Sequence, residues 1–149
     1  MRRVILTVSI VIIVCVVATS VLAADERKVF YLGEKPADLP FSPAVLADDT
    51  LYVSGLLAVN PETGKFEGGT MTQQAERVLA NMEILLKKAG MGLEDVVQAT
   101  VYITDFAEFA EFNAVFRKVF PQAPPARATV QVARLAMDAK IEISAIAVK

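Results

Sequence analysis

Histidine and tryptophan are absent from this 149-residue chain, and cysteine occurs once, at Cys15. The first absence excludes Ser-His-Asp relays and the imidazole sets that usually hold zinc. The scarcity of cysteine leaves everything after position 15 without disulfides or thiolate nucleophiles, which suits an oxidising compartment. An excess of cations is missing too. Fifteen Lys and Arg stand against seventeen Asp and Glu, so binding along a phosphate backbone has no electrostatic footprint and no nucleic-acid partner is expected. Any chemistry must come from Arg, Lys, Asp, Glu, Ser, Thr, Tyr and the backbone.

The chain opens Met1-Arg2-Arg3, runs uncharged from Val4 to Val17, and reaches Val21-Leu22-Ala23. A basic start, an apolar middle and a small-residue site form the pattern of an export signal, here cut after Ala23. The run falls short of the roughly 20 residues that a membrane-spanning helix needs. We therefore expect a signal peptide over 1–23, one domain over 24–149, and a periplasmic or secreted protein with no stable membrane span after cleavage. The alternative is a protein anchored to the membrane by an uncleaved N-terminus. Cys15 lies behind Val14, where a lipid-attachment site would want a small residue, and reads as apolar filler. Without Arg2 and Arg3, thirteen cationic side chains face seventeen anionic ones, a net charge of −4.

Within the domain, Ala44 to Ser54 carries two β-favourable runs around Asp48-Asp49, which predicts a hairpin, with a shorter strand over Lys28 to Tyr31. Asn60 to Gly64 is a turn cluster, followed by a loop at Gly68-Gly69. Thr70 with Gln73 is a capping-box start, and Ala75, Val78, Leu79, Met82, Leu85, Leu86 and Ala89 recur at helical spacing up to Gly90. Val96 to Ile103 predicts a strand. Thr104-Asp105 opens a second helix whose stripe is Phe106, Phe109, Phe112, Phe116 and Val119, read as core rather than as a ligand box. Two strands, Ala128 to Ala133 and Lys140 to Val148, finish the chain. Two helices among five or six strands predict an α+β fold, one sheet with both helices on one face.

If the last two strands pair as a hairpin with Arg127 facing Ile146, one face is apolar and the other carries Arg127, Thr129, Gln131, Glu142 and Ser144. Arg127 and Glu142 would then share that face, roughly 13 Å apart along the strand, with room for a small molecule between them. Arg127 follows Pro124 and Pro125, so its planar fork is stiffly presented to a carboxylate. The competing reading is an arginine paired with a neighbouring acid to hold an interface. Glu142 lies between Ile141 and Ile143, where desolvation would raise its pKa towards that of a useful base; a strand glutamate facing solvent is the plainer reading. Together they make a minimal site for adding water to a small organic acid.

These residues carry a resemblance. Pro125-Ala126-Arg127-Ala128-Thr129-Val130-Gln131-Val132-Ala133-Arg134-Leu135, then Lys140-Ile141-Glu142-Ile143, resembles the C-terminal signature of the Rid family of enamine/imine deaminases, also called the YjgF or L-PSP endoribonuclease family. The likeness extends to Leu51-Tyr52-Val53-Ser54-Gly55, Val59 to Gly64, Gln74-Ala75, Lys88-Ala89-Gly90 and Asn113, and so covers residues 28 to 149. It implies a chorismate-mutase-like single mixed sheet, a homotrimer with sites between subunits, and hydrolysis of 2-aminoacrylate, 2-iminobutanoate and related imino acids to 2-oxo acids and ammonia, with no metal and no cofactor. By resemblance Arg127 binds the substrate carboxylate and Glu142 positions the attacking water. Ser54, Gly55, Asn113 and Thr129 border the ligand, Thr129 standing where family members often have cysteine. Phe41 stands where the family often has tyrosine, and Leu56 where glutamine is common, so a hydroxyl and an amide are missing from the expected cleft. A non-catalytic small-carboxylate binding module on the same scaffold is the alternative function; an endoribonuclease fits poorly with the negative charge and the lack of histidine.

Overall fold

The computed structural model describes residues 27–35 and 38–149; the proposed leader over 1–23 and its cleavage point lie outside the described residues. Six strands form one sheet: β1 (Lys28–Phe30), β2 (Ala44–Ala47), β3 (Thr50–Leu56), β4 (Val96–Ile103), β5 (Ala126–Gln131) and β6 (Ile141–Val148). Among the described residues, two helices, α1 (Met71–Lys88) and α2 (Phe109–Val119), accompany the sheet. The spatial order is β1-β2-β3-β6-β4-β5, antiparallel throughout except for the parallel pair β4 and β5. This is the expected α+β mixed sheet.

Local rules account for most of the elements. Asp48 takes a positive φ of 52° to close the two-residue turn that sets Ala47 opposite Thr50. Thr70 and Gln73 form the capping box at the start of α1, each side chain bonded to the other's backbone N–H. Helix α1 buries Met71, Ala75, Val78, Leu79, Met82, Leu85 and Leu86, while Leu51, Val53, Val101, Ile141 and Ile143 supply the sheet side of the same core. In α2, Phe112, Val115 and Phe116 are buried and Phe109 and Val119 pack against them, so this part of the stripe belongs to the core as expected, whereas Phe106 lies before the helix and is 44% exposed. Both helices thus cover one face. The other face of the sheet is open and keeps Tyr52, Val130 and Val148 more than 40% exposed.

The final hairpin is not formed. β5 runs parallel to β4, reached through α2 as a β-α-β crossover, and β6 inserts between β3 and β4. Arg127 is level with Ala99 and Thr129 with Val101, whereas Glu142 is level with Tyr102 and Ser144 with Thr100. Paired residues share a face. Ala99 and Val101 are buried under the helices, so Arg127, Thr129 and Gln131 lie on the helix side and Glu142 and Ser144 on the open side. The common polar face required β5 and β6 to touch; β4 lies between them, and that face dissolves. Ala128 and Val130 face the open side instead of the helices.

Candidate active site

Two separate groups of polar residues result. The first surrounds Arg127 at the sheet edge. Its Nη2 donates to Asn113 Oδ1 at 2.7 Å, and its guanidinium carbon lies 4.5 Å from the centroid of Phe116, 5.0 Å from Phe112 and 5.8 Å from Phe109. The rings offer their negative π-faces to the cation without neutralising it. No carboxylate comes within ion-pair distance of Arg127 among the described residues. Burial lowers its pKa first, and the nearby Arg117 charge adds to the effect. Thr129 stands two residues along the same face, its Oγ1 buried and without a hydrogen-bond partner. Asn113, Arg127 and Thr129 therefore form one half-site, with unused donors around a free cation.

The second group is built on an irregularity in β3. Val53 pairs with Ala145 and Leu56 with Ile143, so β3 carries one residue more than β6 across this stretch, a β-bulge at Ser54-Gly55. A Cβ added to Gly55 would run into the Glu142 carboxylate, with Cδ at 2.7 Å and Cγ at 3.1 Å. Glycine is what lets that carboxylate lie against the strand. Desolvation raises the Glu142 pKa above its ordinary value. Ser54 Oγ is buried and unpartnered. Phe41, Ser54 and Gly55 line a cleft of about 920 Å³ that extends over Leu39, Leu57, Val59, Ile84 and Met137. Phe41, Ser54, Gly55 and Glu142 thus form a second half-site.

The predicted residues are therefore brought together in two sets and not in one. Across the sheet, Arg127 and Glu142 are offset by two strand spacings of about 4.8 Å and by three residues, roughly 10 Å, along the strand, and they project from opposite faces. Three contributors escaped the sequence reading. Phe109 and its companions seat Arg127 as well as filling the core. Asn81, fully buried on α1, donates from Nδ2 to Leu57 O at 3.3 Å and Val59 O at 2.7 Å, fixing the cleft wall. Gln74 accepts from Lys140 N at 2.9 Å and ties the segment before Glu142 to α1. A buried amide in an apolar helical stripe was the available signal for Asn81, while Gln74 stood in the Gln74-Ala75 stretch that carries the resemblance without a role assigned to it. No cluster of three or more acidic, histidine or cysteine side chains able to hold a metal ion occurs among the described residues.

Comparison with known proteins gives this arrangement its context. The chain is 43% identical over 130 residues to Reactive Intermediate Deaminase A, chloroplastic, of Arabidopsis thaliana, covering 86% of this chain and 70% of that protein. It is 40% identical over 124 residues to the 2-iminobutanoate/2-iminopropanoate deaminase of Bos taurus, covering 83% and 90%. The crystal structure of E. coli TdcF with bound serine superposes with a TM-score of 0.74 at 34% identity, over 81% of this chain and 97% of that one. The family model described as Endoribonuclease L-PSP matches residues 33–149, a span that includes both half-sites, and the chain belongs to that family.

Proposed function

We propose that the protein is an exported hydrolytic deaminase of 2-imino and 2-enamino acids, such as 2-aminoacrylate and 2-iminobutanoate, and that it works as a homotrimer with its sites between subunits. The observation that carries this reading is the placement of Arg127 and Glu142, each without an ionic partner among the described residues, on opposite faces of one sheet. One copy presents the arginine half on one side and the glutamate half on the other. Copies that meet head to tail join the two halves, and a head-to-tail contact closes into a ring when its rotation allows. The open sheet face with exposed Tyr52, Val130 and Val148 supports association, because such apolar surface is ordinarily covered. The deaminase names of the relatives favour the same chemistry.

In this mechanism Arg127 of one copy holds the substrate carboxylate through its fork, with Asn113 and the three phenylalanine rings fixing the plane of the guanidinium. Arginine suits a carbonyl or imine substrate because, unlike lysine, it does not condense with it. Glu142 of the adjoining copy accepts a proton from water while the water oxygen bonds to C2 of the imino acid, and the C=N π pair moves to nitrogen. The tetrahedral aminol then collapses. Starting from the protonated imine, Glu142 returns the proton to the aminol nitrogen and then takes the hydroxyl proton as the C–N bond breaks; that bond's electron pair leaves with ammonia, and the oxygen pair released from hydrogen forms the C2 carbonyl. Thr129 Oγ1 and Ser54 Oγ are buried and without a hydrogen-bond partner among the described residues, one in each half-site. Alignment of water and acid supplies the rate, as suits a substrate that is already reactive.

Complementation tests the shared site. Arg127→Ala and Glu142→Gln proteins, each inactive alone, are unfolded together and reassembled at equal amounts. About one quarter of the sites in randomly mixed rings then combine an intact arginine with an intact glutamate, and deaminase activity returns to that level. Mixed trimers that stay inactive, or a native protein that accelerates no imine, would overturn the proposal; saturable binding of a small carboxylate without turnover would establish a binding module instead. The leader pattern motivates the exported form, and N-terminal sequencing of envelope protein that finds Ala24 first is its check.

A further inference from the structure

We infer that the cleft beside the glutamate half-site is a substrate side-chain compartment selecting 2-imino acids with branched or aromatic apolar side chains over those with an ethyl group or smaller. This deepens the deaminase reading and rests on it. The cleft shares Ser54 and Gly55 with the Glu142 half-site, and Glu142 lies against Gly55 beside the cleft and not in its lining, so the compartment requires a substrate with C2 at Glu142 to direct its substituent past that glycine. Its volume, about 920 Å³, is that of a pocket for a much larger ligand than 2-iminobutanoate. Among the described residues no Lys or Arg lines it, and Glu34 and Glu62 stand among the lining residues. The carboxylate end of an organic acid is therefore unwelcome there, and the apolar end is what it accommodates.

The walls are apolar and fixed. Leu57 and Val59 are held by the buried Asn81 amide, and Ile84 comes from α1. Phe41 contributes a ring at the position where the resemblance expected a hydroxyl. Met137 is 60% exposed, yet its backbone adopts φ 60° and Asp138 takes φ 55°, two consecutive non-glycine residues in the left-handed region. Such conformations persist where the surroundings over-determine them. Here an Arg134–Asp138 ion pair at 2.7 Å brackets the turn, and buried Ala139 with the Lys140 N–H bond to Gln74 anchors its far side. The turn presents a flexible thioether to the cleft, the kind of side chain that adapts to varied apolar shapes.

The test separates side-chain selection from catalysis. Calorimetry on the full chain compares 4-methyl-2-oxopentanoate with 2-oxobutanoate, stable product acids that need no turnover. Two additional buried carbons predict about tenfold tighter binding of the former. Met137→Asn and Leu57→Asn should each cut that ratio below about threefold, with circular dichroism confirming the fold. Equal affinities, tighter binding of the smaller acid, or a ratio unmoved in both variants would refute the compartment. In parallel, imines of leucine and of 2-aminobutanoate are generated by an amino-acid oxidase and their hydrolysis followed. Hydrolysis of both at equal efficiency with no binding preference leaves the deaminase standing and removes the compartment; a binding preference without hydrolysis of either does the reverse.

Discussion

Gly55→Ala isolates the contact on which the proposed chemistry depends. The added Cβ would stand 2.7 Å from Glu142 Cδ and 3.1 Å from Cγ, whereas carbon atoms rest comfortably at about 3.5–4.0 Å. The carboxyl carbon must therefore retreat by about 1 Å, and a misplacement of that size costs on the order of 100-fold in rate. Because the obstacle is the end of a half-exposed side chain and not backbone, the fold yields cheaply, by less than about 1 kcal/mol. The assay is kcat/KM for an imine generated in situ, beside a thermal melt, in four proteins: native, Gly55→Ala, Glu142→Gln and the double variant. If the alanine acts through the carboxylate, it costs about 100-fold alone and almost nothing in the Glu142→Gln background. Native-like activity in Gly55→Ala, or an equal loss in both backgrounds, would refute the reasoning.

Arg127→Lys keeps the charge but loses the fork and the ring stack, and steady-state kinetics should show KM rising about 10- to 100-fold with a smaller change in kcat. Glu142 has its pKa raised by burial, so the ionised base disappears as pH falls through a value above 4.5, and the acid limb of a pH–rate profile should lie above that point. The same shift sets a stability trend: its folded pKa exceeds the unfolded one, so the favourable contribution present below the unfolded pKa is lost as pH rises through the folded value. Glu142→Gln should therefore melt higher than native at neutral pH, with the gain vanishing in acid. Asn81→Leu strands the Leu57 and Val59 carbonyls and should cost about 2 kcal/mol, read as a fall in Tm of roughly 8 °C, with the cleft wall loosened in hydrogen exchange.

What could be read from the sequence follows from the range of the forces involved. The β2–β3 turn at Asp48, the Thr70–Gln73 capping box and the bounds of β4 are decided within a few residues, and all three are found where the pattern places them. Arg127 and Glu142 stand out for a similar reason, as charges set among apolar neighbours. The partner of β5 is a different kind of question, because an edge strand has no local signal for which strand it joins. The helix between β4 and β5 was the available clue, since a strand-helix-strand order favours parallel neighbours. Once that pairing is missed, the face of Arg127 is misassigned and its seat on Phe109, Phe112 and Phe116 stays hidden. Ser54 and Thr129 are named by the resemblance, but the burial of their hydroxyls without a partner has no local sequence signal.

The extra residue in β3 reaches beyond the carboxylate it accommodates. Leu51 and Val53 point into the core at odd positions, and Leu56 does so at an even one, because the insertion shifts the alternation by one step. Deleting Gly55 would smooth the ladder and leave Leu56 two residues after Val53, still inward and opposite Ile143, so the residues that follow would keep their sides. The insertion thus serves the carboxylate more than the core, so shortening the strand by that one residue would spare the inward set and fall on reactivity.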